Sequence, residues 1–263
     1  MTTVTINGAP VTVPQGTLLL KAVEKAGIAL PTLCHHDALS PYGACRLCMV
    51  LITAPRRALA ASCAYPVEQD LAVETHSAEA VLARRLALEA LMARCPSSHV
   101  IRNLAEREGV ATSRFSISEP EKRDELCILC GLCVRVCRDL IGAAAISFVG
   151  RGSERRVGPP FALQSDACIG CGACAEVCPT GAIRMEDWGD QRILHAWNTR
   201  IPLARCPGCG RFFTPEPTRF LKERFPEIDG FWDVCPACRQ ERTARQWLSA
   251  GQERPVRSLT NDG

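Results

Sequence analysis

Residues 127–137 read CILCGLCVRVC, and residues 168–179 read CIGCGACAEVCP. Both stretches follow the pattern C-x2-C-x2-C-x3-C, so the middle of the chain contains an internal repeat. Three thiolates with this spacing can bind three corners of a cubic metal–sulfur cluster, and the fourth corner then needs a cysteine from elsewhere in the chain. The repeat therefore predicts two metal–sulfur centres that exchange their fourth ligands.

The spacing is typical of bacterial ferredoxins with two [4Fe–4S] clusters, in which the fourth cysteine of each motif binds the other cluster. The ligands of the first cluster are therefore predicted to be Cys127, Cys130, Cys133 and Cys178. Those of the second are predicted to be Cys168, Cys171, Cys174 and Cys137. The alternatives are one cluster beside a zinc site, or two degenerate sites. This ferredoxin domain is expected to span residues 125–190.

The cysteine content of the whole chain supports metal binding. The 263 residues include 17 cysteines, of which 16 form four sets of four, so that only Cys95 is left over. Repeated Cys-x-x-Cys spacing is typical of metal sites in reducing compartments rather than of secreted disulfide scaffolds. No basic residues precede an apolar stretch at the start of the chain, so no secretory signal is indicated. We therefore expect a cytoplasmic protein.

Composition excludes several function classes. The apolar fraction of 47% and the charged fraction of 22% are ordinary for a folded globular protein. The net charge of +3 is too small to indicate a nucleic-acid partner. No apolar run approaches the roughly 18 residues that a membrane-spanning helix needs. No nucleotide-binding motif and no set of catalytic side chains is recognisable, so no substrate active site is expected within the chain.

Residues 1–75 are predicted to form a β-grasp domain that binds a [2Fe–2S] cluster. The pattern indicates a hairpin that turns at Asn7-Gly8, a helix capped by Thr17 and ended by Gly27, and then a cysteine-rich loop. The cluster ligands are predicted to be Cys34, Cys45, Cys48 and Cys63. Their first interval is longer than in the plant-type C-x4-C-x2-C spacing. Zinc is the alternative occupant, because four thiolates also bind zinc.

Residues 76–124 are predicted to form a helical spacer. Apolar residues recur at helical spacing in its first part, and Arg84, Arg85 and Glu89 are expected to face solvent. A second helix is predicted to begin after a cap at Ser97 or Ser98. A polar, serine-containing linker is expected to follow these helices.

This order of parts resembles the iron–sulfur subunits of NADH-linked complexes. Similar chains are the amino-terminal part of the large iron–sulfur subunit of complex I and the small diaphorase subunit of NAD-reducing hydrogenases. Amino-terminal halves of NAD-dependent formate dehydrogenases are similar too. The resemblance covers residues 1–187, and residues 127–138 are especially close to this family.

The resemblance also shows a departure. The family often carries a further [4Fe–4S] cluster bound by a His-x3-Cys-x2-Cys-x5-Cys pattern between its two parts. Aligned on Cys95, the four ligand positions fall on Leu91, Cys95, Ser98 and Leu104. Since one ligand of four is kept, no cluster is expected there, and Cys95 is interpreted as a buried remnant or a free thiol.

Residues 198–245 are predicted to form a small module of zinc-ribbon type, followed by a polar tail at 246–263. Two Cys-x-x-Cys turns separated by 25 residues offer four thiolates to one tetrahedral ion. The ligands are predicted to be Cys206, Cys209, Cys235 and Cys238. One Zn²⁺ is the first assignment and iron is the alternative. The whole chain is thus predicted to have an α+β fold in four parts and a tail.

Every recognisable site is a metal centre, which predicts an electron-transfer subunit. The resemblance implies a soluble multisubunit NAD(P)H-linked oxidoreductase in which one [2Fe–2S] and two [4Fe–4S] clusters relay single electrons. Its partners are expected to be a flavin subunit that reacts with NAD(H) and a catalytic subunit. That catalytic subunit is expected to be a hydrogenase, a formate dehydrogenase or another low-potential reductase. The alternatives are a redox-sensing regulator with a zinc ribbon and a free-standing ferredoxin with several clusters.

Overall fold

The computed structural model describes residues 1–116, 126–215, 225–226 and 233–252. Part of the predicted linker and most of the predicted tail therefore lie outside the described residues. The chain divides into two compact units; in the described residues the first contains a five-stranded and a two-stranded sheet, and the second contains a four-stranded sheet. The first comprises Met1–Ala167 and Gly172–Arg184, and the second comprises Cys168–Cys171 and Met185–Gly263.

The first unit begins with a five-stranded sheet. Its strands are β1 (Thr2–Ile6), β2 (Ala9–Val13), β3 (Met49–Ala54), β4 (Ala58–Ala61) and β5 (Leu71–Glu74). The strand order is β2-β1-β5-β3-β4, with β1 and β5 parallel and the other neighbours antiparallel. Asn7 and Gly8 have φ of 49° and 86°, the positive values that a type I′ hairpin turn requires. The predicted hairpin is therefore confirmed.

Helix α1 (Leu19–Lys25) contributes its apolar residues to the buried core that it shares with this sheet. Gly27, with φ of 77°, follows the last turn and ends the helix as predicted. The prediction that Thr17 caps the helix is wrong, because Leu18 occupies the cap position and no side chain bonds there. The Thr17 carbonyl instead accepts a hydrogen bond of 2.9 Å from the backbone of Val67, which keeps this segment extended.

Two longer helices follow the sheet, α2 (Ala78–Arg94) and α3 (His99–Arg107). The Ser77 side chain caps α2, and the Ser98 side chain caps α3, in each case by accepting a hydrogen bond from a backbone N–H of the first turn. Of the two predicted caps for the second helix, the structure therefore selects Ser98. Gly109, with φ of 68°, lies just beyond α3.

The expectation that Arg84 and Glu89 face solvent is wrong. Arg84 is only 4% exposed, and its guanidinium donates to the carbonyls of Met49 and Thr75 at 2.9 and 2.8 Å. These carbonyls lie at the ends of strands, where buried oxygens need a donor. Glu89 is also buried and accepts a hydrogen bond of 2.8 Å from Arg114. Both charged side chains thus attach α2 to neighbouring segments.

The cysteine repeat has a repeated backbone conformation. The elements in this region are α4 (Leu132–Arg135), a π-helical turn (Val136–Leu140), β6 (Ser147–Val149), β7 (Arg156–Gly158) and α5 (Ala173–Glu176). Gly131 and Gly172 precede α4 and α5 with φ of 73° and 77°. Leu129 and Gly170, two residues earlier, also have positive φ, at 54° and 64°. The two motifs therefore fold alike, in agreement with the internal repeat.

In its described residues, the second unit contains a four-stranded antiparallel sheet, a short 3-10 helix (His195–Trp197) and a longer α-helix. Its elements are β8 (Met185–Trp188), β9 (Gln191–Leu194), β10 (Thr199–Arg205), β11 (Phe212–Pro215) and α6 (Pro236–Gln252). The strand order is β11-β10-β9-β8. Among the helices that the structure describes, none is long and apolar enough to cross a bilayer.

Candidate iron–sulfur and metal sites

The four cysteines predicted to bind [2Fe–2S] lie in the core of the first unit. Cys34 is in the long loop after α1, Cys45 and Cys48 precede β3, and Cys63 is in a short turn after β4. None of the four is more than 7% exposed. The pairing of β3 with β4 brings two of the ligand segments together, since the backbone of Ser62 donates to the Cys48 carbonyl at 3.1 Å.

The sulfur atoms of these cysteines are close together and receive backbone hydrogen bonds. The N–H of Cys45 donates to Cys34 Sγ at 3.4 Å, and that of Cys63 donates to Cys48 Sγ at 3.5 Å. Hydrogen bonds from the thiols of Cys45 and then Cys63 lower the pKa of Cys34, and the Cys63 thiol lowers the pKa of Cys48 to about 6. The pKa values of Cys45 and Cys63 are raised in return. A buried set of thiolates with N–H donors suits an iron–sulfur cluster.

Cys178 lies within electrostatic range of the first motif of the repeat, and so does Cys174, so the exchange of fourth ligands stays a prediction. Burial raises the pKa of Cys130 to about 11, with a further contribution from the negative charges of Cys178 and Cys127. Burial also raises the pKa of Cys133, and the charges of Cys130, Cys127, Cys174 and Cys178 add to this effect in that order. Buried thiolates that repel one another in this way are stabilised by cationic iron. The donor set therefore fits a [4Fe–4S] cluster.

The ligands predicted for the second [4Fe–4S] cluster are divided between the two units. Cys137 lies in the π-helical turn, and its Sγ accepts a hydrogen bond of 3.3 Å from the backbone of Ala145. Cys174 lies in α5, also in the first unit. Cys168 and Cys171 belong to the second unit. This ligand set stays a prediction from the sequence.

The four cysteines near the C-terminus form a compact site. All four Sγ atoms lie within 4.8 Å of one another, namely those of Cys206, Cys209, Cys235 and Cys238. The first two lie in the turn between β10 and β11, and the last two lie at the start of α6. Cys209 Sγ and Cys235 Sγ are 3.6 Å apart. Metal–sulfur bonds of about 2.3 Å in a tetrahedron place two sulfurs about 3.8 Å apart, so the spacing fits one tetrahedral ion.

Backbone N–H groups also stabilise thiolates at this C-terminal site. The N–H of Cys235 donates to Cys206 Sγ at 3.3 Å and is the main reason why the pKa of Cys206 is lowered to about 6. The N–H of Cys238 donates to Cys235 Sγ at 3.5 Å. Gly208 lies so close that an added Cβ would be 3.2 Å from Cys238 Sγ. The turn is thus shaped around the sulfurs, as expected for a bound metal.

The positions that bind an additional cluster in the family have other structural roles in this chain. Cys95 is fully buried, and Leu91 and Leu104 pack against the same core. The Ser98 hydroxyl caps α3 by accepting a hydrogen bond from the backbone of Ile101. Packing and capping therefore account for the three positions that are not cysteine.

One residue with no role in the sequence analysis connects the two predicted cluster regions. Arg135 lies between Cys133 and Cys137 and is 6% exposed. Its guanidinium donates to the carbonyl of Cys34 at 2.7 Å and to the carbonyl of Ser40. Arg135 occupies one of the unspecified x positions of the motif, where no pattern predicts a role for the residue. Only the fold shows this contact.

Two domain families match the chain. The 2Fe-2S iron–sulfur cluster binding domain matches residues 1–78. The 4Fe-4S dicluster domain matches residues 126–182 and, in a second match, residues 167–211. Both families of iron–sulfur domain predicted from the cysteine spacing are therefore present.

Curated relatives are subunits of redox complexes by name. The NADP-reducing hydrogenase subunit HndD of Solidesulfovibrio fructosivorans is 36% identical over 210 residues, which cover 70% of this chain and 36% of that protein. The mitochondrial NADH-ubiquinone oxidoreductase 78 kDa subunit of Neurospora crassa is 30% identical over 201 residues, which cover 68% of this chain and 27% of that protein. The chain thus spans only about a quarter to a third of the length of these relatives.

The match to one solved structure covers most of the chain in that structure. A chain in the crystal structure of NAD+-reducing [NiFe]-hydrogenase in the H2-reduced state is 31% identical to this one, with a TM-score of 0.57. The match covers 69% of this chain and 86% of that chain. Sequence, domains and fold agree with the cysteine pattern. The chain belongs to the family of iron–sulfur subunits of NADH-linked complexes.

Proposed function

We propose that the chain relays single electrons between two other subunits of an NAD(P)H-linked oxidoreductase. The observation that carries this proposal is a single buried core that contains all four [2Fe–2S] cysteines together with Cys130 of the first [4Fe–4S] motif. A dry shell around redox centres controls their potentials and excludes solvent. The chain is proposed to hold one [2Fe–2S] and two [4Fe–4S] clusters on the predicted ligand sets.

The protein's own groups set the conditions for this relay. When bound, each cluster supplies a centre that gains or loses one electron. The backbone N–H groups of Cys45 and Cys63 donate to sulfur and stabilise the extra negative charge that reduction brings. Burial of Cys34, Cys130 and Cys133 excludes water, which leaves these N–H groups and nearby cations to decide the potentials.

The C-terminal site is proposed to bind Zn²⁺ and to have a structural task. Zinc has no redox chemistry, and four thiolates on two tight turns are typical of structural zinc. In the part of this module that the structure describes, the local core consists of Cys206, Val234 and Cys235, with Phe213 and Cys238 packed against them. Metal binding is proposed to add to the stability of the module, and the zinc-ribbon-like module is proposed to dock onto another subunit.

The partners are proposed from the family. A subunit that binds flavin and NAD(H) and a catalytic oxidoreductase subunit are proposed to exchange electrons with this chain in a cytoplasmic hetero-oligomer. The helical spacer of α2 and α3 is proposed to hold the two cluster domains together. Arg84 supports this, because it fastens α2 to Met49, the residue after Cys48.

A reductive titration of the full chain under anaerobic conditions tests the relay. Three one-electron clusters predict uptake of about three electrons per chain from dithionite, with zinc taking none. A Cys63→Ser variant is expected to take up fewer electrons, whereas Cys95→Ala, which lies outside the ligand sets, is expected to match the wild type. Uptake of less than about one electron by the metal-loaded wild type would contradict the proposal.

A further inference from the structure

Arg135 carries a permanent positive charge inside the first unit. The residue is 6% exposed, and a guanidinium remains protonated over the whole pH range in which proteins are studied. Within the part of the chain that the structure describes, its Nε has no hydrogen-bond partner. A buried cation is costly unless negative charge compensates it.

The contacts of Arg135 connect the two cluster-binding segments. Its guanidinium donates to the Cys34 carbonyl at 2.7 Å and also to the Ser40 carbonyl, both in the [2Fe–2S] loop. Its backbone N–H donates at 3.0 Å to the carbonyl of Gly131, in the [4Fe–4S] motif. The negative charge of Cys34 is among the smaller effects that raise the pKa of Cys130, so the two ligand sets are within electrostatic range of each other.

An aromatic ring lies over the Arg135 guanidinium. The guanidinium carbon of Arg135 lies 5.3 Å from the centre of the Tyr42 ring. Tyr42 in turn stacks on Phe148, with ring centres 6.4 Å apart and planes inclined by 17°. A charge acts more strongly where water is excluded, because the local dielectric constant is low.

The acidic residues that the structure describes do not neutralise the charge of Arg135. Within the described ranges Arg135 has no ion-pair partner, and the nearby Asp139 is bound at 2.6 Å to Arg138. That bond is the main cause of the lowered pKa of Asp139, and Arg135 has the smallest of the effects on it. Clusters bound by four thiolates carry net negative charge, and reduction adds one more. When bound, clusters on these two ligand sets would supply the counter-charge that the described acidic residues do not supply.

We propose that Arg135 is a positioning residue whose charge raises the reduction potentials of both the [2Fe–2S] and the first [4Fe–4S] cluster. This inference rests on the proposed function. Because the guanidinium contacts the loop that carries Cys34 and its backbone belongs to the motif that carries Cys133, its charge stabilises an added electron on either cluster. One electron leaves one cluster as the other gains it. No bond forms or breaks, and no proton moves, since Arg135 stays charged throughout.

Redox titrations of the full, metal-loaded chain, followed by EPR, test this role. Arg135→Gln and Arg135→Met remove the charge, and both are expected to lower the midpoint potentials of the two clusters. Arg135→Lys keeps the charge and is expected to stay closer to the wild type. Arg84→Gln is the matched control, because Arg84 is equally buried and also donates to two carbonyls, at Met49 and Thr75. It is expected to leave the [4Fe–4S] potential unchanged.

The outcomes separate this inference from the proposed function. Unchanged potentials in the Gln or Met variant, with iron content and both EPR signals retained, would contradict the role of Arg135 and leave the relay intact. A shift of only one potential, or an equal fall in the Lys variant, would also contradict it. Absence of both signals from the metal-loaded wild type would contradict the proposed function, and the inference with it. The Met variant decides the question if the Gln variant does not fold.

Discussion

Gly131 shows how closely single residues control the cluster-binding segments. Its φ of 73° lies in the left-handed region, and a Cβ there would be 3.1 Å from Phe148 and 3.2 Å from Tyr42. We expect Gly131→Ala to lower the free energy of unfolding by about 2 kcal/mol, from backbone strain and crowding together. Denaturant unfolding of the metal-loaded chain under anaerobic conditions measures this loss.

Gly181 provides the matched control for that substitution. Its φ of 67° is similar, but nothing lies within 4 Å of an added Cβ. Gly181→Ala is therefore expected to cost only the backbone strain, about 1 kcal/mol. Equal losses in the two variants would show that the aromatic contacts of Gly131 do not matter.

The cysteine spacing allows a prediction of the ligands at this scale, whereas the contacts of the two arginines could not be predicted. The shape of the cluster requires the C-x2-C-x2-C-x3-C spacing, so the signal for the ligands lies in residues that are close together in the sequence. Arg135 instead meets the Cys34 carbonyl across 101 residues of sequence. Arg84 reaches Met49 across 35 residues, and its place on the helix surface suggested solvent. Such contacts depend on packing between segments that are distant in the sequence, and no local sequence pattern predicts this packing.

Among the secondary-structure elements, α3 depends on its cap. The Ser98 hydroxyl accepts the N–H of Ile101 and is buried, at 2% exposure. Ser98→Ala is expected to lower the free energy of unfolding by about 1 kcal/mol, while Ser98→Thr keeps the hydroxyl and is expected to lose less. Thermal or denaturant unfolding of both variants measures the difference. An alanine variant as stable as the wild type would show that the cap contributes nothing.

The C-terminal turns offer a second test at the scale of elements. Cys206→Ser removes one of four thiolates, so we expect loss of the zinc and faster amide hydrogen exchange in β10 and β11. Iron content is expected to stay at the wild-type value, because the iron ligands are other cysteines. Loss of iron together with zinc would contradict the separation of this site from the clusters.

Elements with strong local signals were predicted correctly. The hairpin at Asn7-Gly8, the end of α1 at Gly27 and a serine cap at 97 or 98, which the structure places at Ser98, follow from turn and cap chemistry of adjacent residues. The cap at Thr17 was wrong because a tertiary contact with Val67 holds that segment extended. Predictions from local propensity were therefore correct where no contact with a distant segment competed with it.

For the whole molecule, the order of the cysteine sets predicted the family, and the comparisons confirm it. The division into units was not predictable in the same way. The second cysteine motif is split between them, with Cys168–Cys171 in one unit and Gly172–Arg184 in the other. Spacing specifies which residues bind a cluster, but not how the chain around them is partitioned into compact units.

The most direct test of the electron relay is a metal count on the anaerobically purified full chain, together with low-temperature EPR of its reduced form. We predict about ten irons and one zinc per chain, with one [2Fe–2S] signal and two interacting [4Fe–4S] signals. A chain with zinc but few or no irons, and without these signals after reduction, would contradict its role as an electron-transfer subunit.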